Sequence, residues 1–338
     1  MIFVSGLKAQ LYTEGLVQGN FTSTELIEFL QYFINKLQFK HLSVEVPVLF
    51  RVVELPQKPH LCKVKSLNKG DANSEVTVYC QSGLKNMREH TLMELLVMHM
   101  EEPCFDFLRT KETLGYQVYP TCRNTSGILG FSITVETQAT KFNTDYVETK
   151  IEEFLVSFGE KMTNLMDEAF KTQVTALIKL KECEDTHLGE VVDRNWFEVV
   201  SQQYIFDRLN REVNPCIDLS CSSVLQIEAL KIITKAELLS WFMEHRYATS
   251  KKLSVHVVGF GEEESNQAGQ SSCSPNPSPS EGEEDQGQAP KTSTYSYGEV
   301  SKLTFLPASP MLADATLIDD IRLFTSSLTL YHYHKILK

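Results

Sequence analysis

The chain has 338 residues, with 32 Lys and Arg against 44 Asp and Glu, a net charge of −12. That balance argues against a nucleic-acid binder working by phosphate neutralisation. The 42% hydrophobic and 10% aromatic content excludes disorder of the whole chain. No apolar run approaches the ~18 residues of a membrane span, and Met1–Leu7 lacks the basic and apolar regions of a signal peptide. The sequence therefore reads as soluble and cytoplasmic. Its eight cysteines form no Cys-x-x-Cys pair, and Cys62, Cys80 and Cys104 sit within apolar patterns as small core hydrophobes.

In chain order, Gln10 to Val17 reads as the end of a strand, followed by a turn at Gly19-Asn20. Thr22-x-x-Glu25 is a capping box, after which Leu26, Leu30, Phe33 and Leu37 fall on one helical face. Val44-Glu45-Val46 and Phe50 to Leu55 read as strands, with Pro47 demoting part of the run. Pro56 and Pro59 bracket an expected domain boundary. Glu75 to Cys80 alternates as a half-buried strand. Met87 to Met100 places Leu92, Leu95, Leu96, His99 and Met100 on one helical face, and Pro103 is expected to break that helix. Tyr116 to Tyr119 and Ile128 to Thr137 are strand candidates. Helices follow at 145–160, 166–184, 187–209 and 225–246, then a strand from Lys252 to Val258. This order lacks regular βαβ alternation and predicts an α+β fold with helices packed on one face of a sheet.

Between Gly261 and Val300 stand eight acidic residues and a single Lys291, a net charge of −7. From Ser265 to Pro290 there is no Val, Ile, Leu or aromatic residue, so burial cannot offset the ordering entropy, and a disordered acidic loop is expected.

No self-contained chemistry emerges from the motifs. An inverted zinc helix needs His-x-x-Glu-His, two imidazoles one turn apart with a glutamate as base. The nearest approach, His99-Met100-Glu101-Glu102-Pro103, puts a proline where the second ligand belongs, and Pro103 is expected to push Glu102 out of helical conformation. His99 on an apolar face reads as a hydrogen-bonded core histidine. His90-x-x-x-Glu94 and His187-x-x-Glu190 lack a second histidine, and His332-x-His334 lacks a third ligand. There is no G-x-S-x-G, no P-loop and no G-x-G-x-x-G. Gly259-Phe260-Gly261 follows a strand but runs into Glu262-Glu263-Glu264, which would repel a phosphate.

One stretch carries more. Glu102-Pro103-Cys104-Phe105-Asp106-Phe107-Leu108-Arg109-Thr110-Lys111-Glu112-Thr113-Leu114-Gly115-Tyr116-Gln117-Val118 closely resembles a signature of the C-terminal half of the insulin-degrading-enzyme/pitrilysin family of inverted-zinc-motif metallopeptidases. Met93 to Glu102, Pro120 to Phe131 and Leu177 to Glu190 resemble the family's dibasic-directed branch. The similarity covers residues 1 to 260 and 302 to 338, with Asn214 to Gln226 standing out as an insertion.

The resemblance implies four α/β-roll domains forming a clamshell. In those terms residues 1–56 are the end of the third domain and residues 60–260 the fourth. Residues 261–300 are the acidic loop, and residues 301–338 a tail packing back on the fourth domain. It implies peptide substrates, basic or dibasic, and a partner in the zinc-bearing N-terminal half. No metal ligands are assigned within this chain; zinc belongs to the complete enzyme. Arg109 and Tyr116 are the implied substrate-binding residues, Tyr116 also supporting catalysis. A guanidinium fork suits a peptide carbonyl or carboxylate, and a phenol can donate to a developing oxyanion. Taken alone, Arg109 to Glu112 reads as a solvated helix end and Tyr116 as a strand aromatic. Two further readings stay open: a non-catalytic peptide-binding or interaction protein, and an incomplete reading of a longer gene.

Overall fold

The computed structural model describes residues 12–38, 51–182, 187–200, 204, 206, 229–246, 250–261, 302–309, 312 and 314–332. The chain divides into two compact units, one comprising Val53–Val174 and Ile232–Tyr331, the other Met1–Val52, Thr175–Lys231 and His332–Lys338. The described helices are α1 (Ser23–Leu37), α2 (Met87–Cys104), α3 (Thr144–Thr163), α4 (Asp167–Glu182), α5 (Leu188–Val200), α6 (Lys235–Arg246) and α7 (Ile321–Ser326).

A six-stranded sheet organises the larger unit. Its strands are β1 (His60–Lys65), β2 (Asn73–Leu84), β3 (Val118–Thr125), β4 (Ile128–Gln138), β5 (Lys251–Val258) and β6 (Thr316–Ile318), ordered β3-β4-β2-β5-β1-β6. The strands β3, β4, β2 and β5 pair antiparallel in turn, whereas β1 runs parallel to both β5 and β6. A mixed sheet of this kind, combined with helices, is the α+β class expected from the element order.

Register explains the core. Val76, Val78 and Cys80 on β2 pair with Val135, Ile133 and Phe131 on β4, so all six side chains share one face. Helices α3 and α6 contact β2, and α2 contacts β3 and β4. The buried residues of α3 include Val147, Ile151, Phe154, Leu155, Phe158 and Met162, the stripe that a 3.6-residue period presents to a core. Phe158 meets Phe242 of α6 edge to face, with ring centroids 5.3 Å apart. Cys62, Cys80 and Cys104 are buried free thiols.

In the smaller unit the capping box forms as the sequence predicts. The Glu25 amide donates to Thr22 Oγ1 at 3.3 Å, and the Thr22 amide donates to Glu25 Oε2 at 2.8 Å. The apolar stripe of α1 is present but none of its residues is buried.

Several expectations are corrected. Helix α2 does not break before Pro103. It runs through Pro103 to Cys104 and continues as a π-helix from Phe105 to Lys111, with the Phe105 amide donating to the carbonyls of Glu101 and Glu102. A proline removes one donor and crowds the preceding turn, and a widened turn accommodates both. Glu102 accordingly remains helical.

Residues 12–18 form no strand. Among the described residues, 51–55 contribute a single bridge, Val53 to Leu330, since a run beside prolines lacks the donors for a ladder. Tyr116 lies in a loop, because strand β3 begins at Val118. The last long helix is interrupted at residues 233 and 234 before α6 begins. Strand β1 is not among the expected elements: His60 to Val64 are all buried, so it shows no alternation, and His60 and Lys63 read as polar. Val44–Val46, Asn214–Gln226, His334 and the acidic stretch from Glu262 to Val300 lie outside the described residues.

Candidate functional site

The π-helix and the loop after it form a device that displays two side chains from buried anchors. Cys104 and Leu108 are fully buried, fixing the inner side of the π-helix, while Phe105 is exposed and Arg109 half-buried. The Glu112 amide donates to the Phe107 carbonyl and the Leu114 amide to the Leu108 carbonyl, folding the chain back. Leu114 is then buried, and Thr137 Oγ1 on β4 donates to its carbonyl at 2.6 Å. The Glu136 amide donates to the Gln117 carbonyl at 2.9 Å, and Val118 is again buried. Tyr116 therefore projects from a loop pinned on both sides and is 82% exposed.

Glycine is required at position 115. A Cβ there would lie 1.7 Å from the Glu136 carbonyl oxygen and 2.8 Å from its carbon, so the loop can press onto β4 only without a side chain.

The structure brings the two implied substrate-binding residues together. The Arg109 guanidinium carbon lies 4.3 Å from the Tyr116 ring centroid and 4.5 Å from that of Phe105. The cation is thus flanked by two aromatic rings, a geometry in which ring quadrupoles attract the charge and restrict its rotamers. Phe105 was not singled out from the sequence. Its signal was an aromatic one turn before Arg109 in the same signature. Beside Tyr116 is a hollow of about 370 Å³, bounded by Gly115, Gln117, Glu136, Thr137 and Lys141.

His99 is a core histidine, 4% exposed and stacked on Phe170 with the rings 5.7 Å apart and 5° from parallel. Burial pushes its imidazole down to about 4, so it is neutral at pH 7. Its Nε2 has no hydrogen-bond partner among the described residues, which differs from the satisfied histidine expected. Glu101 and Glu102 both face solvent. One enclosed imidazole with exposed carboxylates does not fit a zinc site, and among the described residues no three His, Cys, Asp or Glu side chains could hold a metal.

A buried charged cluster lies between α3 and the sheet. Lys63 Nζ donates to both Asp145 oxygens at 2.9 and 2.8 Å. His256 Nε2 lies 2.6 Å from Glu148 Oε2, and its Nδ1 lies 3.4 Å from Asp145 Oδ1. Ser254 Oγ donates to Glu148 Oε1 at 2.6 Å, and Lys252 Nζ to Glu152 Oε1 at 2.6 Å. Desolvation alone would raise the Asp145 carboxyl, but His256 and Lys63 outweigh it and hold it at about 2. Desolvation would likewise lower His256, yet its two carboxylate neighbours raise it. With His256 protonated, three cations face three carboxylates.

The chain is similar to known proteins. Residues 95–196 match the family model described as PQQ synthase PqqF-like, C-terminal lobe domain 4. The chain is 61% identical to nardilysin of Homo sapiens over 337 residues, 99% of the chain and 26% of the relative. It is 27% identical to the insulin-degrading enzyme of Homo sapiens over 278 residues, 80% of the chain and 26% of that protein. The crystal structure of pitrilysin superposes with a TM-score of 0.57 at 12% identity, covering 94% of this chain and 27% of that one. The chain thus spans about a quarter of the length of the curated relatives it matches.

Proposed function

The chain belongs to the insulin-degrading-enzyme/pitrilysin family of metallopeptidases, and from that premise we propose that it is the substrate-enclosing C-terminal part of a peptide-cleaving zinc enzyme. The observation that carries this reading is the clamp of Arg109 between Phe105 and Tyr116, displayed on a loop anchored by Leu108 and Leu114.

Both rings lie within 4.5 Å of the guanidinium carbon, and its N–H donors suit a peptide carbonyl or carboxylate. Tyr116, exposed beside it, offers a phenolic donor to the carbonyl oxygen of the bond being cleaved. Both groups are held before substrate arrives, so little ordering cost remains when it binds. Zinc, carried by an N-terminal half of the complete enzyme, supplies the Lewis acid and the activated water; this chain contributes no ligand and is inactive alone. The preferred peptides are basic or dibasic, in keeping with the resemblance and with the net charge of −12. Residues 60–260 are assigned to the fourth domain of the clamshell, with residues 301–338 as its tail, and residues 1–56 to the end of the third.

The test is Tyr116→Phe in the polypeptide completed by the zinc-bearing half, assayed on a dibasic fluorogenic peptide. Loss of a donor to the developing oxyanion lowers kcat/KM by about 10²-fold or more. Unchanged kcat/KM would reduce Tyr116 to an ordinary surface aromatic and favour a non-catalytic role.

A further inference from the structure

The buried charged cluster between α3 and the sheet has a balance that turns on one proton. Asp145, Glu148 and Glu152 stand on successive turns of α3, and Lys63 of β1 with Lys252 and His256 of β5 meet them from the sheet. His256 is fully enclosed, and Asp145 and Glu148 are each 2% exposed. The two lysines leave three carboxylates one positive charge short. Only a protonated His256 closes the count.

Every element packed around the ring contributes. On α3, Asp145 lies 3.4 Å from Nδ1 and Glu148 lies 2.6 Å from Nε2, while Glu152 pairs with Lys252. On β5, Ser254 Oγ donates to Glu148, and Lys252 Nζ lies 3.2 Å from Glu148 Oε1. Lys63 of β1 and the Ser309 side chain hydrogen-bond Asp145. Strand β2 sets Val76 opposite His256 and Cys80 opposite Lys252, and burial pushes the Cys80 thiol up to about 12. A protonated imidazole has a donor for each of its two carboxylates, whereas the neutral ring has one N–H and serves only one of them. An unbalanced negative charge then stays shut away from water, which is costly.

Helix α3 supports the clamp as well as the cluster. Its Phe154 meets Phe107 of the π-helix with ring centroids 5.9 Å apart. Its Lys150 Nζ lies 3.6 Å from Oε1 of Glu112, the residue that caps the π-helix. Arg109 stands between Phe107 and Glu112 in the chain, and Tyr116 follows in the loop beyond. The seat of α3 on the sheet therefore sets where the clamp sits. A cavity of about 520 Å³ bordered by Lys63 and Thr144 lies at the first turn of α3, so water reaches the cluster once that turn lifts.

We propose that His256 is a proton-operated latch: protonated, it ties the first turns of α3 to β5, and its deprotonation lets those turns lift, water enter and the contact between Arg109 and Tyr116 loosen. Histidine is the side chain whose charge changes near neutral pH. Burial alone would lower His256, but its two carboxylate neighbours outweigh that and raise it. The latch is therefore closed below the ordinary histidine value of 6.5 and opens as pH rises through the higher folded value. Control of peptide binding by this latch rests on the role proposed for the clamp. The latch itself does not, and the two fail separately.

The test is NMR of the purified, isotope-labelled chain from pH 6 to 9.5 at constant ionic strength. The His256 ring signal is expected to titrate with a midpoint above 6.5. Hydrogen-exchange protection in the second turn of α3 and the nuclear Overhauser contacts between Arg109 and Tyr116 should fall several-fold through the same midpoint. Glu148→Gln leaves Lys63 and Lys252 facing Asp145 and Glu152, so a neutral ring is balanced. Its midpoint should move down by about one pH unit or more, and the loss of contacts with it. If that variant does not fold, the wild-type series decides alone. A ring that does not titrate below pH 9.5, a titration that leaves protection and contacts unchanged, or an unmoved midpoint in Glu148→Gln would overturn the proposal. Peptide turnover by the completed enzyme, measured over the same range, reports on the clamp: its absence at every pH would overturn the clamp's role and leave the latch standing.

Discussion

Replacing Asp145 with asparagine tests the buried charged cluster. Asp145 is 2% exposed and takes both hydrogen bonds from Lys63, itself 8% exposed. The substitution strands a buried ammonium and removes one of the two carboxylates beside His256. Holding the carboxyl at about 2, against its ordinary value of 3.8, corresponds to roughly 2 kcal/mol at about 1.36 kcal/mol per unit. Breaking a buried pair by removing one partner costs about 3–5 kcal/mol, so the loss at pH 7 is expected between about 2 and 5 kcal/mol. For a unit of this size that lowers Tm by roughly 5–15 °C.

The pH dependence has a definite sign. A carboxyl whose pKa falls on folding contributes its full stabilisation above the unfolded value and loses it as pH drops toward the folded one. The gap between wild type and Asp145→Asn should hold from pH 7 to 5 and close between pH 4 and about 2. His256, raised on folding, contributes below its unfolded value and loses that contribution as pH rises through its folded one. Urea unfolding of wild type, Asp145→Asn, Lys63→Met and the double variant measures this. A coupling of about 2 kcal/mol between positions 63 and 145 is expected. A loss below about 1 kcal/mol for Asp145→Asn at pH 7 would refute the buried pair as a stabilising contact.

Two other outcomes follow from the structure. Gly115→Ala forces the loop off β4, because the new Cβ would meet backbone atoms of Glu136. It should cost about 1–3 kcal/mol and separate Tyr116 from Arg109, which nuclear Overhauser contacts between the two side chains would show; retained contacts and stability would contradict the packing. His99 should titrate near 4 by NMR. Since it is lowered on folding, it destabilises the chain as pH falls from 6.5 toward 4, and a midpoint at 6 or above would mean that the ring is not enclosed.

Much of the fold was legible because local signals agreed with it. The alternation from Glu75 to Cys80, the apolar face of α2 from Leu92 to Met100 and the capping box at Thr22 each fixed an element without tertiary help. The misses have physical causes. Pro103 disrupts an α-helix on its own, and only the π-helix that follows shows how the backbone continues past it. Strand β1 was obscured because His60 and Lys63, polar by composition, are buried, Lys63 against Asp145.

For the candidate site, Arg109 and Tyr116 came from a resemblance rather than from spacing, since neither residue forms a self-contained motif. Their contact depends on Leu114 and Gly115 folding back on Glu136 and Thr137, a non-local event. The cluster around His256 was equally hidden, its ring meeting Glu148 across 108 positions. Only afterwards does the pattern read clearly, with Lys252, Ser254 and His256 alternating on β5 opposite Asp145, Glu148 and Glu152 on successive turns of α3.

The most direct measurement combines zinc content with peptide turnover on the purified, dialysed chain. A catalytic zinc site takes three protein ligands and an open position for water, and His99 with Glu102 does not supply it. The expected result is no stoichiometric zinc and no cleavage of a dibasic fluorogenic peptide, with turnover appearing when a separately expressed zinc-bearing half is added. One zinc per chain with chelator-sensitive turnover would contradict the assignment of this chain to the substrate-enclosing part of the enzyme.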